Sequence, residues 1–153
     1  MIPMIEQRRI EAELVRDFYE VLQKTMSKAE AQEVIRAAIA SSSIRQAQRL
    51  AAEVGHPPDL VDFELSTEAW KASGAMDREE LHASPERLDF NVTRCGYAQM
   101  YKDMGLHEIG HLLSCNRDAS FCVGYSDDME LTRTQTIMDG APHCDFRYRM
   151  KNT

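Results

Sequence analysis

The spacing of apolar residues changes part-way along this chain, and that change is its strongest constraint on the fold. Ile10, Leu14, Phe18 and Leu22 recur at every fourth position, the interval that lines one face of an α-helix. Ser27-Lys28-Ala29-Glu30 matches a capping box, in which each terminal side chain satisfies an orphan backbone donor at a helix start. Ala31, Val34, Ile35, Ala38 and Ile39 form a second apolar stripe, and Ile44, Ala47, Leu50 and Val54 a third. Gly55, Pro57 and Pro58 then end the helical pattern. All three stripes are expected to face a core.

Beyond the prolines the period falls to two. Val61, Phe63 and Leu65 alternate with Asp62, Glu64 and Ser66, which predicts a half-buried strand. Residues 70–85 mix glycine, serine and charge and read as a helical turn plus a connection. Leu88, Phe90 and Val92 alternate with Asp89, Asn91 and Thr93, predicting a second strand. Helical spacing returns from Tyr97 through Tyr101 and Met104 to Leu106, Ile109 and Leu113, with Gly105 as a break. Three short strands are expected after it, over 121–125, 131–138 and 144–149, and their short gaps favour antiparallel pairing. A helical part over 1–56 and a strand-rich part over 57–153 predict one α+β domain, with N-terminal helices packed on a mainly antiparallel sheet.

A length of 153 residues suits a single domain. A net charge of −7 argues against nucleic acid or an anionic membrane as partner, and leaves a small-molecule substrate. No apolar run approaches the roughly 18 residues of a membrane span. The first ten residues carry Glu6, Gln7, Arg8 and Arg9 where a signal peptide needs an apolar stretch. A cytoplasmic location is therefore expected, with the four cysteines as thiols or ligands. A homo-oligomer through the N-terminal helices is left open.

Phe90-Asn91-Val92-Thr93-Arg94-Cys95 is followed by Tyr97-Ala98 and Met100-Tyr101, then by Leu113-Ser114-Cys115, Arg117-Asp118 and Phe121. Next come the run from Leu131 through Arg133 and Thr136 to Met138, then Gly140, and the close Cys144-Asp145-Phe146-Arg147-Tyr148. In these segments the chain resembles the L-2-amino-thiazoline-4-carboxylate hydrolases. The resemblance implies hydrolytic opening of a cyclic isothiourea towards a carbamoylated cysteine. The reaction class carries over better than the particular ring.

Opening an amidine-like carbon needs a nucleophile, an anion for the amidinium nitrogens and a proton donor for the leaving atom. Cys144 is the candidate nucleophile, because alternation with Asp145, Arg147 and Arg149 turns its sulfur to the side of Phe146 and Tyr148. A buried structural thiol is the competing reading. Cys115 and Asp118, three apart, share one side of a helix if the helix runs that far. Asp118 then serves as base or amidinium holder, or else merely caps a turn. Arg133 offers a two-pronged grip on a substrate carboxylate, against an ordinary salt bridge. Thr132, Thr134 and Thr136 place hydroxyls on one strand face, so Thr136 joins Arg133 as a binding candidate. Tyr97 and Arg94, inside the matched segments, are added by the resemblance.

His107-Glu108-Ile109-Gly110-His111 fits the pattern of zinc hydrolases, with both imidazoles on one helical face and Glu108 as base. The downstream Leu112-Leu113-Ser114-Cys115-Asn116-Arg117 lacks the glycine and third histidine of the extended form. Cys95, Cys115 and Cys144 lack paired Cys-x-x-Cys spacing. No cofactor is therefore expected, with zinc on His107 and His111 as the alternative. A ligand-binding domain without turnover is a third reading.

Overall fold

The computed structural model describes residues 1–151. Helix α1 spans Met4–Leu22 and α2 spans Lys28–Val54. The Ser27 side chain accepts from the Glu30 N–H while Glu30 accepts from the Ser27 N–H, and Gly55 ends α2 in the left-handed conformation at φ 81°. The second and third apolar stripes therefore run along one helix. After a short helix α3 (Leu60–Ser66) and a turn of helix α4 (Glu68–Lys71) come the strands β1 (Met76–Ala83) and β2 (Arg87–Cys95). Helices α5 (Gly96–Asp103), α6 (Gly110–Leu113) and α7 (Cys115–Tyr125) follow, then β3 (Met129–Thr132) and β4 (Cys144–Met150).

The four strands form one antiparallel sheet in the order β1-β2-β4-β3. Leu88, Phe90 and Val92 pair with Tyr148, Phe146 and Cys144 across β2 and β4, and all six side chains are buried on one face. The opposite face carries ion pairs, in which Asp89 is gripped by Arg149 at 2.6 Å and Arg87 at 2.7 Å. Helices α2, α3 and α7 cover the apolar face with Ala47, Leu60, Phe63, Cys122 and Tyr125. A second cluster, built on Ala12, Tyr19, Ile35, Tyr101 and Leu112, joins α1 to α2, α5 and α6 beside the sheet. The α+β class is as expected. Helix α7 lies so close to α2 that a Cβ on Gly124 would stand 2.3 Å from the Ile44 carbonyl oxygen.

Four sequence expectations are corrected. The segment read as a strand at 61–65 is helix α3, started by Asp59, whose carboxylate accepts from the Val61 and Asp62 N–H groups. Its buried pair is Leu60 and Phe63, three apart, while Val61 and Leu65 face outward. The segment at 121–125 is the last turn of α7, again with its buried Cys122 and Tyr125 three apart. Strand β1 lies where a connection was expected, because an exposed edge strand needs no apolar alternation. The strand at 131–138 stops at Thr132, since the Asp145 carboxylate takes the Thr134 and Gln135 N–H groups out of the ladder. One further reversal concerns α1. Ile10, Leu14 and Phe18 are 50%, 60% and 56% exposed, and the inward face carries Arg8, Ala12 and Tyr19 instead.

Candidate functional site

Between the sheet and the helices lies a cavity of about 120 Å³, ample for several waters or a small ligand. The inward residues of β4 form its floor: Cys144, Phe146 and Tyr148 share one face because alternate side chains of a strand point the same way. Phe63, Trp70 and Phe121 add an aromatic wall, with Trp70 and Phe146 ring centroids 6.1 Å apart. Helix α7 supplies Cys115, Arg117 and Asp118 from its first turn, and α1 contributes Met4 and Arg8. Cys95, at the end of β2, completes a set of three thiols around the space.

Cys115 and Asp118 share a side of the helix, as their spacing of three requires. Arg133 donates to Asp118 Oδ2 at 2.6 Å and to the Cys115 carbonyl oxygen at 3.1 Å, with its guanidinium 5.0 Å from the Phe146 ring centroid. Burial pushes the Asp118 carboxyl up, against the pull of Arg133, Arg117 and Arg8. The second carboxylate oxygen, Oδ1, has no hydrogen bond among the described residues.

All four cysteines are free thiols. Burial pushes every one of them up, and Cys115, beside Asp118, rises to about 12. Two sulfurs in the cavity also accept backbone N–H bonds, which favour the thiolate. Ile137 donates to Cys144 Sγ at 3.1 Å, and Ala98 donates to Cys95 Sγ at 3.4 Å. Cys95 is the N-cap of α5, so its sulfur lies at the positive end of a helix. Its place between an alternating strand and a returning helical period was the signal for that role. The hydroxyl of Tyr148 is buried without a hydrogen-bond partner among the described residues.

Of the remaining sequence candidates, Tyr97 lines the cavity and donates its hydroxyl to the Trp70 carbonyl oxygen at 3.1 Å. Thr136 and Arg94 lie outside the lining. Thr136 caps the turn Ile137–Asp139, where its hydroxyl meets Asp139 Oδ2 at 3.0 Å. Arg94 reaches across the surface to Asp77 at 2.9 Å and to the Gly74 carbonyl oxygen at 2.6 Å. The row of threonine hydroxyls does not form, because the strand ends at Thr132. Arg8 and Arg117, both buried and both on the lining, were not singled out by the sequence.

The His-Glu-x-x-His segment is not one helix. His107 lies in the turn before α6, so the two imidazoles have no common helical face. Glu108 is engaged by Lys28 at 2.7 Å and by the Tyr19 hydroxyl at 3.2 Å. A Cβ on Gly110 would stand 3.1 Å from Tyr101 Cβ and would push aside the flexible end of Met138. Among the described residues no group of three or more His, Cys, Asp and Glu side chains is arranged to hold a metal ion.

The fold is similar to the phenol-responsive sensory domain of the transcription activator PoxR, solved with phenol. The two share 12% identity and a TM-score of 0.57, over 91% of this chain and 73% of that one. It is also similar to trafficking protein particle complex subunit 3 from Naegleria fowleri, solved covalently bound to palmitic acid. There the identity is 10% and the TM-score 0.54, over 95% of this chain and 96% of the other. Among proteins with curated descriptions, none matches by sequence. The profile of the L-2-amino-thiazoline-4-carboxylic acid hydrolases, in contrast, matches residues 7–148. That span takes in most of α1 with Arg8, nearly all of the sheet and every candidate around the cavity, and the chain belongs to this hydrolase family.

Proposed function

We propose that the cavity is a hydrolytic active site that opens a small cyclic isothiourea with Cys144 as nucleophile and Asp118 as base. The observation that carries this reading is the convergence of Cys144, Cys95, Cys115 and the Asp118–Arg133 pair on one cavity. Because burial keeps the thiols protonated, the attack must be base-assisted. Asp118, itself pushed up and open at Oδ1, takes the Cys144 proton as sulfur bonds to the amidinium carbon. The ring carbon–sulfur bond then breaks, since a thiolate leaves more readily than an amidine nitrogen, and the departing sulfur receives the proton that Asp118 took from Cys144. Tyr148, with its unpartnered hydroxyl, donates a hydrogen bond to the charge that develops. Water adds to the same carbon in the second half. The bond to Cys144 breaks, the thiol is restored, and a carbamoylated amine with a new free thiol departs.

The reading is tested by following thiol release from 2-amino-thiazoline-4-carboxylate by the full chain, beyond the protein's own four cysteines. Cys144→Ser is expected to lower turnover by orders of magnitude while keeping the fold, and Cys95→Ser to lower it far less. An active Cys144→Ser overturns the assignment. A second reading, ligand binding without turnover, draws on the raised thiols and on the fold shared with a phenol-responsive sensory domain. Saturable binding of the ring with no thiol released by the parent protein favours it.

A further inference from the structure

Three guanidiniums line the cavity, and they are not equivalent. Arg133 is matched by Asp118 at 2.6 Å. Among the described residues, Arg8 and Arg117 share one ion-paired carboxylate, that of Glu11. Arg8 Nη1 donates to Glu11 Oε1 at 3.0 Å and Oε2 at 3.1 Å, and Arg117 Nη2 donates to the same Oε2 at 3.1 Å. The two guanidiniums are therefore neighbours, brought together from α1 and α7. Arg117 Nε is used by the Leu113 carbonyl oxygen at 2.9 Å. Arg8 Nε and Nη2 and Arg117 Nη1 donate to nothing among the described residues. Yet the Arg8 and Arg117 side chains keep only 9% and 11% of their surface, while Glu11 keeps 43%.

Two buried cations sharing one half-exposed anion leave an excess positive charge in a place where unpaired charge is costly. The rest of the chain makes this excess conspicuous, since its net charge is −7. Burial, and then the neighbouring Arg8, push the Arg117 guanidinium below its ordinary value, with Glu11, Tyr101 and Asp118 opposing the fall. An acetate-sized anion between the two guanidiniums would take up the idle donors with the bidentate geometry that carboxylates and guanidiniums share.

We infer that Arg8 and Arg117 form the carboxylate-binding subsite of the cavity, and that the site selects small planar acids over their uncharged counterparts. The subsite deepens the ring-opening reading and rests on it for the identity of the acid. Arg133, the residue whose fork the sequence offered for this task, has its two terminal nitrogens committed to Asp118 and the Cys115 carbonyl oxygen. The reacting end of the ring would then lie toward Cys144 and Asp118, and its acid end toward α1.

The test uses benzoate and benzamide as probes, which match in shape and differ in charge, titrated calorimetrically into the full chain. The parent is expected to prefer benzoate by on the order of tenfold or more. Arg8→Gln should collapse the preference to within about threefold by weakening benzoate alone, and Arg117→Gln should act alike. Arg117 also holds the Leu113 carbonyl oxygen, so its loss can disturb the fold; Glu11→Gln keeps the test decisive. Removing that half-exposed competitor should strengthen benzoate binding. No preference in the parent, a preference that survives Arg8→Gln, or weaker benzoate binding in Glu11→Gln overturns the subsite. An Arg8-dependent benzoate preference in a protein that leaves 2-amino-thiazoline-4-carboxylate intact upholds the subsite and removes the ring-opening reading. Ring opening with no effect of Arg8→Gln on benzoate does the reverse.

Discussion

The cavity has two charged corners built on different principles. On the sheet side, Asp118 and Arg133 form a one-to-one pair, with Arg133 further fixed by the Cys115 carbonyl oxygen and by the face of Phe146. On the helix side, Arg8 and Arg117 divide one carboxylate between them and keep idle donors. In the balanced pair burial pushes the carboxyl up against the pull of its counter-charge, which suits it to move a proton. An unbalanced pair of cations suits no proton transfer near neutral pH, but it can hold an anion. The difference separates the handling of protons from the handling of charge within one small space.

The most drastic way to break this division is Asp118→Asn. The amide keeps size and can still accept from Arg133, but it cannot take a proton. Ring opening should fall by roughly 10²–10⁴-fold, the usual worth of a positioned base. The preference for benzoate over benzamide should survive, because it belongs to the other corner. In the parent, the acid limb of the rate profile should lie above the ordinary carboxylate range, since burial pushes Asp118 up. That limb should vanish in Asp118→Asn. Loss of the benzoate preference along with activity would show that the corners act as one unit.

The two corners were not equally legible in the sequence. The sheet side was, because strand alternation puts Cys144 on the face of Phe146 and Tyr148 whatever the fold around it. Cys115 and Asp118 could be placed on one side of a helix by spacing alone, even though the end of that same helix was taken for a strand. The error arose because α3 and α7 bury pairs only three apart in short helices, where a few apolar residues fit either period. The helix side was not legible. Arg8 belongs to a run of charges near the start, and nothing local says that it turns inward while Ile10, Leu14 and Phe18 turn out. Its partner Arg117 lies more than a hundred residues away, joined to it only by the packing of α1 against the helices that carry the site.

A smaller effect sharpens the comparison through alkaline pH. Burial holds the Cys115 thiol at about 12 against an ordinary 9.0, with Asp118 adding to the rise. A thiol raised in the folded state contributes stability that is complete below its unfolded pKa and is lost as pH climbs through the folded one. The window is therefore from about 9 to about 12. Cys122 behaves likewise, and Tyr97 and Tyr101, also at about 12, begin their loss from 10.0. Denaturant titrations of the parent at pH 8 and pH 11 should show a marked fall, and Cys115→Ala should reduce it by roughly 2–3 kcal/mol. A fall of equal size in both proteins would mean that the thiol is better solvated than its burial implies.

The least effect is expected where a sequence-matched arginine sits outside both corners. Arg94 lies within the family-like segment, yet its side chain is 51% exposed and bridges Asp77 and the Gly74 carbonyl oxygen at the junction of β1 and β2. Such a pair is solvated on all sides, and its attraction is screened by salt. Arg94→Gln should leave kcat/KM for ring opening within about twofold and keep the benzoate preference. The melting temperature should change little, and less still in high salt, where the parent has already lost the benefit of the pair. A tenfold loss of kcat/KM would put Arg94 in contact with the substrate. It would also mean that charge is supplied to the cavity from a third direction, and the division into one balanced and one unbalanced corner would no longer describe the site.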